Sequence, residues 1–178
     1  MTSCIDAGLA LIPEDRKTDG LVHSMSILEN LTLASLWRLV TLGYLSPEVE
    51  SSAAGKFVKS LSIKTNNPSL EIGSLSGGNQ QKVVIGRALM TDPKVLLMDE
   101  PSRGIDIGAK AEVFKVMRDL AKTGLGILFV TSDLEEVMAL SDRIVVMSHG
   151  QLAAQFGPNE ATQDAVVLAS NSQVLLAA

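Results

Sequence analysis

The chain has a single cysteine, Cys4, so no intramolecular disulfide can brace it, and no Cys/His cluster has metal-ligand spacing, which excludes a structural zinc of the usual kind. That usage fits a reducing cytosol. Positive charge is also in short supply: 15 Lys and Arg stand against 20 Asp and Glu, a net charge of -5. There is then no general electrostatic reason to bind nucleic acid or an anionic membrane, and any anion must be bound by a local site. Long apolar runs are missing. The first apolar stretch, Met1 to Ile12, is interrupted by Asp6 and has no basic segment ahead of it, so it does not read as a secretory signal. No uninterrupted run approaches the roughly 20 residues of a membrane span. Nowhere does the pattern G-x-x-x-x-G-K-(S/T) occur, the loop whose backbone cradles nucleotide phosphates.

What is present is a chain of 178 residues with 46% hydrophobic content, enough for one globular domain with a core, though not necessarily a complete one. Ser26-Ile-Leu-Glu29 has the form of a capping box, and the Leu/Trp-rich run behind it predicts a helix to Leu42. Ser46-Pro47 starts another, because Val49, Ala53, Phe57, Val58 and Leu61 recur at helical spacing. Asn66 to Ser69 closes this helical insert with turn residues. Beyond it the order becomes helix (Gly78 to Met90), buried strand (Val95 to Met98), helix (Ala109 to Lys122, stopped at Gly124), buried strand (Ile127 to Thr131) and short helix around Leu134 to Leu140. Arg143 to Met147 and Gln151 to Phe156 read as a hairpin, and residues beyond Asn159 as a last helix with a loose tail. The alternation predicts an α/β fold with parallel core strands, an inserted helical subdomain and a C-terminal antiparallel hairpin.

Two segments carry candidate chemistry. In Leu75-Ser-Gly-Gly-Asn-Gln-Gln-Lys82 a serine and two glycines sit just before a helix. Helix N-termini expose unpaired N–H groups and a partial positive charge, and glycine allows close approach of an anion, although such a sequence can equally be a plain cap. In Val95-Leu-Leu-Met-Asp-Glu-Pro101 an apolar strand ends in two adjacent acids. Carboxylates beside a core are costly unless they serve a cation or a reaction, and the C-terminal end of a parallel strand faces the crevice where α/β proteins bind ligands. A solvated strand exit is the plain alternative.

Taken together, Leu75 to Lys82 resembles the signature of ABC-type ATPases, and Val95 to Pro101 resembles their Walker B strand with its following glutamate. The two lie 23 residues apart from Ser76 to Asp99, as that family's pattern expects. Ser102-Arg-Gly-Ile-Asp106 falls at the D-loop, and Asp142-Arg-Ile144 at the strand that follows the switch region. Pro13-Glu-Asp-Arg-Lys17 with Gly20-Leu21, Asn79 and Ser132 are similar to the second nucleotide-binding half of tandem ATPase subunits of bacterial monosaccharide importers. The resemblance implies a partial P-loop NTPase domain in four stretches: 1–19 around the Q-loop, a helical subdomain over 20–72, the signature-to-switch core over 73–158, and a C-terminal helix and tail over 159–178. It also implies ATP and Mg²⁺ as ligands. Asp99 would hold the metal through water, and Glu100 would orient or deprotonate the attacking water. Ser76, Gly77 and Gly78 would touch the γ-phosphate of ATP held by the opposite half of a head-to-tail dimer, with Asn79, Gln80, Asp106 and Glu14 in the same nucleotide-facing set.

The implied partners are a second ATPase half, transmembrane permease subunits facing the helical insert and, indirectly, a periplasmic sugar-binding protein, with no nucleic acid. The implied place is the cytoplasmic face of the bacterial inner membrane, held there peripherally. Departures from the pattern carry expectations of their own. Without a phosphate loop and its strand, the sequence reads as a truncated reading frame with an exposed hydrophobic edge. Ser132 stands where a histidine normally contacts the γ-phosphate, and Glu14 puts an anion at the Q-loop glutamine; both count against hydrolysis at this half's own site. A catalytically inactive remnant acting as an interaction module is therefore the alternative. A DNA-repair or ribosome-associated ABC ATPase is another, against which stands the lack of coiled-coil heptads and basic arms. His23 and His149 have no metal-like partners and read as surface residues, and Trp37, at helical spacing from Leu33, reads as core.

Overall fold

The computed structural model describes residues 2–171. They form two compact units, the first running to Val130 and the second beginning at Thr131.

In the first unit, α1 (Thr2–Asp6) leads into β1 (Leu9–Ile12), and a five-residue π turn follows over Arg16–Gly20. Asp15 starts that turn by accepting the N–H groups of Lys17 (2.8 Å) and Thr18 (3.4 Å). The hydrogen bond from Lys17 is the main cause holding the Asp15 carboxyl below its usual range. The capping box is formed as expected. The Glu29 amide donates to Ser26 Oγ (3.2 Å) and the Ser26 amide to Glu29 Oε2 (2.7 Å), opening α2 (Ile27–Thr32).

The helix predicted to reach Leu42 is broken. A 3-10 turn over Leu33–Ser35 and a single α turn, α3 (Leu36–Leu39), replace its second half. Thr32 Oγ1 donates back to the Leu28 carbonyl (3.1 Å) and Ser35 Oγ to that of Thr32 (3.1 Å), the side-chain-to-backbone competition that bends helices. The chain then makes a two-residue hairpin, β2 (Val40–Thr41) to β3 (Tyr44–Leu45), with Leu42 (φ 52) and Gly43 (φ 81) at its turn. Trp37 is correspondingly not core: it is 60% exposed, with the Arg38 guanidinium 4.9 Å from its ring. The next helix, α4 (Pro47–Ser60), starts on Ser46-Pro47 as read.

The centre of the unit is α5 (Gly77–Leu89), buried on nearly every side, with Val83, Val84 and Ile85 inaccessible or almost so. Each such side chain contributes about 1.5–3 kcal/mol relative to exposure. Strand β4 (Val95–Asp99), helix α6 (Ile107–Lys122) and strand β5 (Gly126–Val130) follow. The sheet order is β1-β4-β5, all parallel, with Leu11, Leu97 and Leu128 in one row. Strand pleating sends alternate residues to opposite faces. Ala10, Ile12, Leu96 and Met98 are buried on one face, whereas Leu11, Leu128 and Val130 on the other are 64%, 59% and 61% exposed. Among the described residues β5 pairs with β4 alone, and its residues are exposed or half-buried, so the strand read as buried over Ile127 to Thr131 is not.

The second unit consists of α7 (Leu134–Leu140), the antiparallel hairpin β6 (Ile144–Ser148) to β7 (Gln151–Phe156), and α8 (Gln163–Asn171). Ile144, Val146 and Val166 form its small core, packed by Leu134, Val137 and Phe156 among others. The hairpin turns through His149 (φ 49) and Gly150 (φ 78). The expected loose tail falls on 172–178, outside the described residues. Among the described residues no helix is long and apolar enough to cross a membrane.

Candidate functional site

Three pieces of the first unit converge: the π turn after β1, the N-terminus of α5, and the loop after β4. The α5 terminus comes first because its sequence leaves it open. Ser76 is the N-cap residue, exposed and extended (φ -61, ψ 156), yet its hydroxyl caps no backbone N–H of the helix. It accepts instead from the Asn79 side-chain amide at 3.0 Å. The first-turn amides of α5 are therefore without a side-chain cap, at the end of a 13-residue helix whose dipole favours an anion.

The glycines have steric roles of their own. A Cβ on Gly78 would lie 2.4 Å from the Ala109 Cβ, so its absence lets α5 and α6 pack closely. A Cβ on Gly77 would lie 2.8 Å from Arg16 Nη2 and 3.4 Å from the Gly104 carbonyl. Neither glycine has a positive φ, so contact rather than backbone freedom explains them.

Asn79 and Gln80 are turned inward. Asn79 Oδ1 accepts the Lys64 amide at 2.9 Å, and Gln80 Nε2 donates to the carbonyls of Leu75 (3.2 Å) and Ile72 (3.4 Å). Both are buried, and their amides fasten the segments on either side of the helix start. Lys82, 2% exposed, donates to the Ser62 carbonyl (3.2 Å) and pairs with Glu112 of α6 at 2.7 Å; Lys64 takes the other Glu112 oxygen at 2.8 Å. Hydrogen bonds from Lys64 and then Lys82 pull the Glu112 carboxyl down to about 2. Sequence reading passed over this network. Lys82 sits in a helix buried on nearly every side, a place where an ammonium needs a partner.

The acid pair closes β4. Asp99 and Glu100 are both half-buried. Glu100 is held in left-handed backbone (φ 42), its N–H bonded to the Val130 carbonyl at 2.8 Å and its carbonyl to the Arg103 N–H at 3.0 Å. That conformation costs a non-glycine residue about 1–2 kcal/mol and is the kind of local strain found at functional sites. Gly104 (φ 66) is left-handed as well, which its lack of a Cβ permits. Asp106 is the N-cap of α6, accepting the Ala109 amide at 2.9 Å.

Arg16 joins the pieces. Its Nη1 donates to the Arg103 carbonyl (2.6 Å) and its Nη2 to that of Gly104 (2.8 Å), while Glu14 pairs with the Arg103 side chain. Ser132 lies in the second unit, exposed, just ahead of α7. His23 is exposed, its Nε2 2.9 Å from the Lys17 carbonyl. Among the described residues no group of three or more His, Cys, Asp or Glu gathers as a metal cage. The donor set at Asp99 and Glu100 suits Mg²⁺, which keeps waters and takes one or two carboxylates alongside phosphate oxygens.

Comparison with known proteins gives the family and the fold. The ABC transporter family model matches residues 4–103. A xylose import ATP-binding protein of Moorella thermoacetica is 46% identical over 160 residues, which is 90% of this chain and 32% of that protein. A ribose import ATP-binding protein of Oceanobacillus iheyensis is 45% identical over 166 residues, 93% of this chain and 34% of the relative. The chain thus spans about a third of the length of the relatives it matches. Among solved structures, a nucleotide-free ATP-binding cassette from an ABC transporter superposes with a TM-score of 0.73 at 26% identity, over 93% of this chain and 66% of that one. A dimeric ATP-binding cassette in a post-hydrolysis state with ADP and Pi shares the fold, with a TM-score of 0.70 at 23% identity.

Proposed function

This chain belongs to the ABC transporter family, and from that premise we propose that it supplies the signature face, and the acids beside it, of an ATPase that drives sugar uptake. The observation that carries this reading is the uncapped N-terminus of α5 behind an exposed Ser76. Ser76 and the Gly77 and Gly78 amides then meet the γ-phosphate of ATP held by an opposing half, and binding closes the pair.

Asp99 and Glu100 serve the other side of the reaction. Asp99 would hold Mg²⁺, which would neutralise charge on the phosphates. Glu100, fixed by its backbone at the end of β4, orients the water that attacks the γ-phosphate. Glu14, paired with Arg103, and Asp106, capping α6, keep the surrounding loops in place, while Asn79 and Gln80 hold the signature's shape. Ser132 replaces an imidazolium with a hydroxyl, and hydrolysis at this half's own site is accordingly slow.

The relatives are named for xylose and ribose import, and a pentose is the substrate class we assign to the assembled importer. The permease subunits dock on the helical insert, where Trp37, Val40, Leu42 and Tyr44 are exposed together on α3 and the hairpin after it, and they hold the chain on the cytoplasmic face of the membrane. The 178 residues contain no phosphate loop, an observation that favours a second reading for them on their own, an interaction module without turnover.

The test mixes the chain with Mg-ATP and a phosphate-loop-bearing half from a sugar-import relative. ATP-dependent association, abolished by Ser76→Arg, is the expected result, and association that is indifferent to ATP or to Ser76→Arg contradicts it. In a complete assembly Glu100→Gln slows turnover while preserving ATP-driven closure; unchanged turnover would show that this half's acids do not hydrolyse.

A further inference from the structure

Arg16 belongs to neither the signature nor the acid pair, yet it lies against the first residue of α5 and binds the loop that follows the acids. It is 7% exposed, and burial, partly opposed by Asp15, pulls its guanidinium below the ordinary value. Both Nη groups are taken by carbonyls of the loop after Glu100, and Nε is buried with no partner. Guanidinium keeps its charge in a protein and fixes its donors in a rigid planar fork. A buried, incompletely satisfied cation serving only as filler is a poor choice, since an apolar side chain of similar length would pack there without the orphaned donor.

Its other neighbour supplies the reason for the fork. Nη2 occupies the space that a Cβ on Gly77 would need, 2.8 Å away, and the Gly104 carbonyl lies 3.4 Å from the same point. The π turn that carries Arg16 is itself anchored, since Arg87 of α5 donates to the Gly20 carbonyl. The guanidinium is therefore wedged between the first residue of α5 and the loop 103–104, joined to the loop by two hydrogen bonds and to the helix by contact.

We propose that Arg16 is a positioning residue that couples the signature to the loop following the acids, so that Ser76 and Glu100 keep a fixed relation. The inference rests on reading the α5 terminus as the phosphate-facing surface. It assigns Gly77 the role of admitting the guanidinium.

The test is a double-mutant cycle on the full chain with Arg16→Met, Gly77→Ala and the pair, read by amide exchange. The reporters are Arg103 and Ile105 in the loop and Gln80 in the helix start, each hydrogen-bonded in the native state. Arg16→Met should accelerate all three by about tenfold or more while α4 is unaffected, and Gly77→Ala should do the same but add nothing in the Arg16→Met background. A second arm measures association with the phosphate-loop-bearing half. Arg16→Lys, keeping charge but not the fork, should raise the half-maximal Mg-ATP concentration by about tenfold with the final extent unchanged. Ala54→Gly, a destabilised control in α4, should leave that midpoint alone.

Acceleration confined to the loop amides, full additivity of Gly77→Ala, or an equal midpoint shift in Ala54→Gly would each overturn the coupling. If the wild-type chain shows no ATP-dependent association, the functional reading fails, and the exchange cycle still decides whether Arg16 couples the two segments.

Discussion

The α5 terminus and the acid-bearing sheet lie in one unit but are packed to different degrees. Around Ser76 the helix start is well backed: Asn79 and Gln80 are turned inward, Lys82 is paired with Glu112, and the Gly78 contact brings α6 against α5. Around Asp99 one sheet face is packed, while Leu11, Leu128 and Val130 remain largely exposed on the other. On the proposed reading, the first would recognise a phosphate held elsewhere and needs only its own backing, whereas the second would hold and cleave one and needs a cradle as well.

The sharpest way to break this contrast is at the helix contact. Gly78→Ala forces a Cβ against Ala109 and should destabilise the chain by about 2–3 kcal/mol in urea unfolding, with Ala109→Gly restoring much of the loss. An effect absent or not rescued would mean that the glycine serves something other than packing. Next in size, Glu112→Gln weakens the partner of buried Lys82 and should cost about 1–2 kcal/mol near neutral pH. Glu112 titrates at about 2 in the folded chain against 4.5 ordinarily, so its contribution is whole above about 4.5 and fades as pH falls toward 2. The variant should show a flatter acid limb over that window, and an unchanged limb would remove Glu112 from the account.

On the other side of the contrast, Asp106→Ala removes the α6 cap and should cost about 1 kcal/mol. Smallest of all, Leu128→Thr and Val130→Thr should each shift stability by only about 0.5 kcal/mol, because their side chains are mostly in solvent. Their effect should appear as reduced aggregation in light scattering, and a large stability loss would show that this face is covered.

Much of this layout could be read from the chain. The capping box at Ser26, the start at Ser46-Pro47, the strand ending in Asp99 and the terminal hairpin follow from spacing and local chemistry, and the structure forms all of them. The break after Thr32 was not legible, since apolar spacing continues through it while back-bonding hydroxyls and the Leu42-Gly43 turn decide the backbone. Trp37 was misplaced for the same reason: periodicity marks a helix face without saying whether anything covers it. Arg16 and Glu112 were invisible as partners because each reaches residues far along the chain, Gly104 from Arg16 and Lys64 from Glu112.

The central claim is that these residues present a signature without a cradle of their own. Equilibrium titration of the 178-residue chain with a fluorescent ATP analogue and Mg²⁺ tests it most directly. The account predicts no saturable binding tighter than about 1 mM, and micromolar affinity would contradict it.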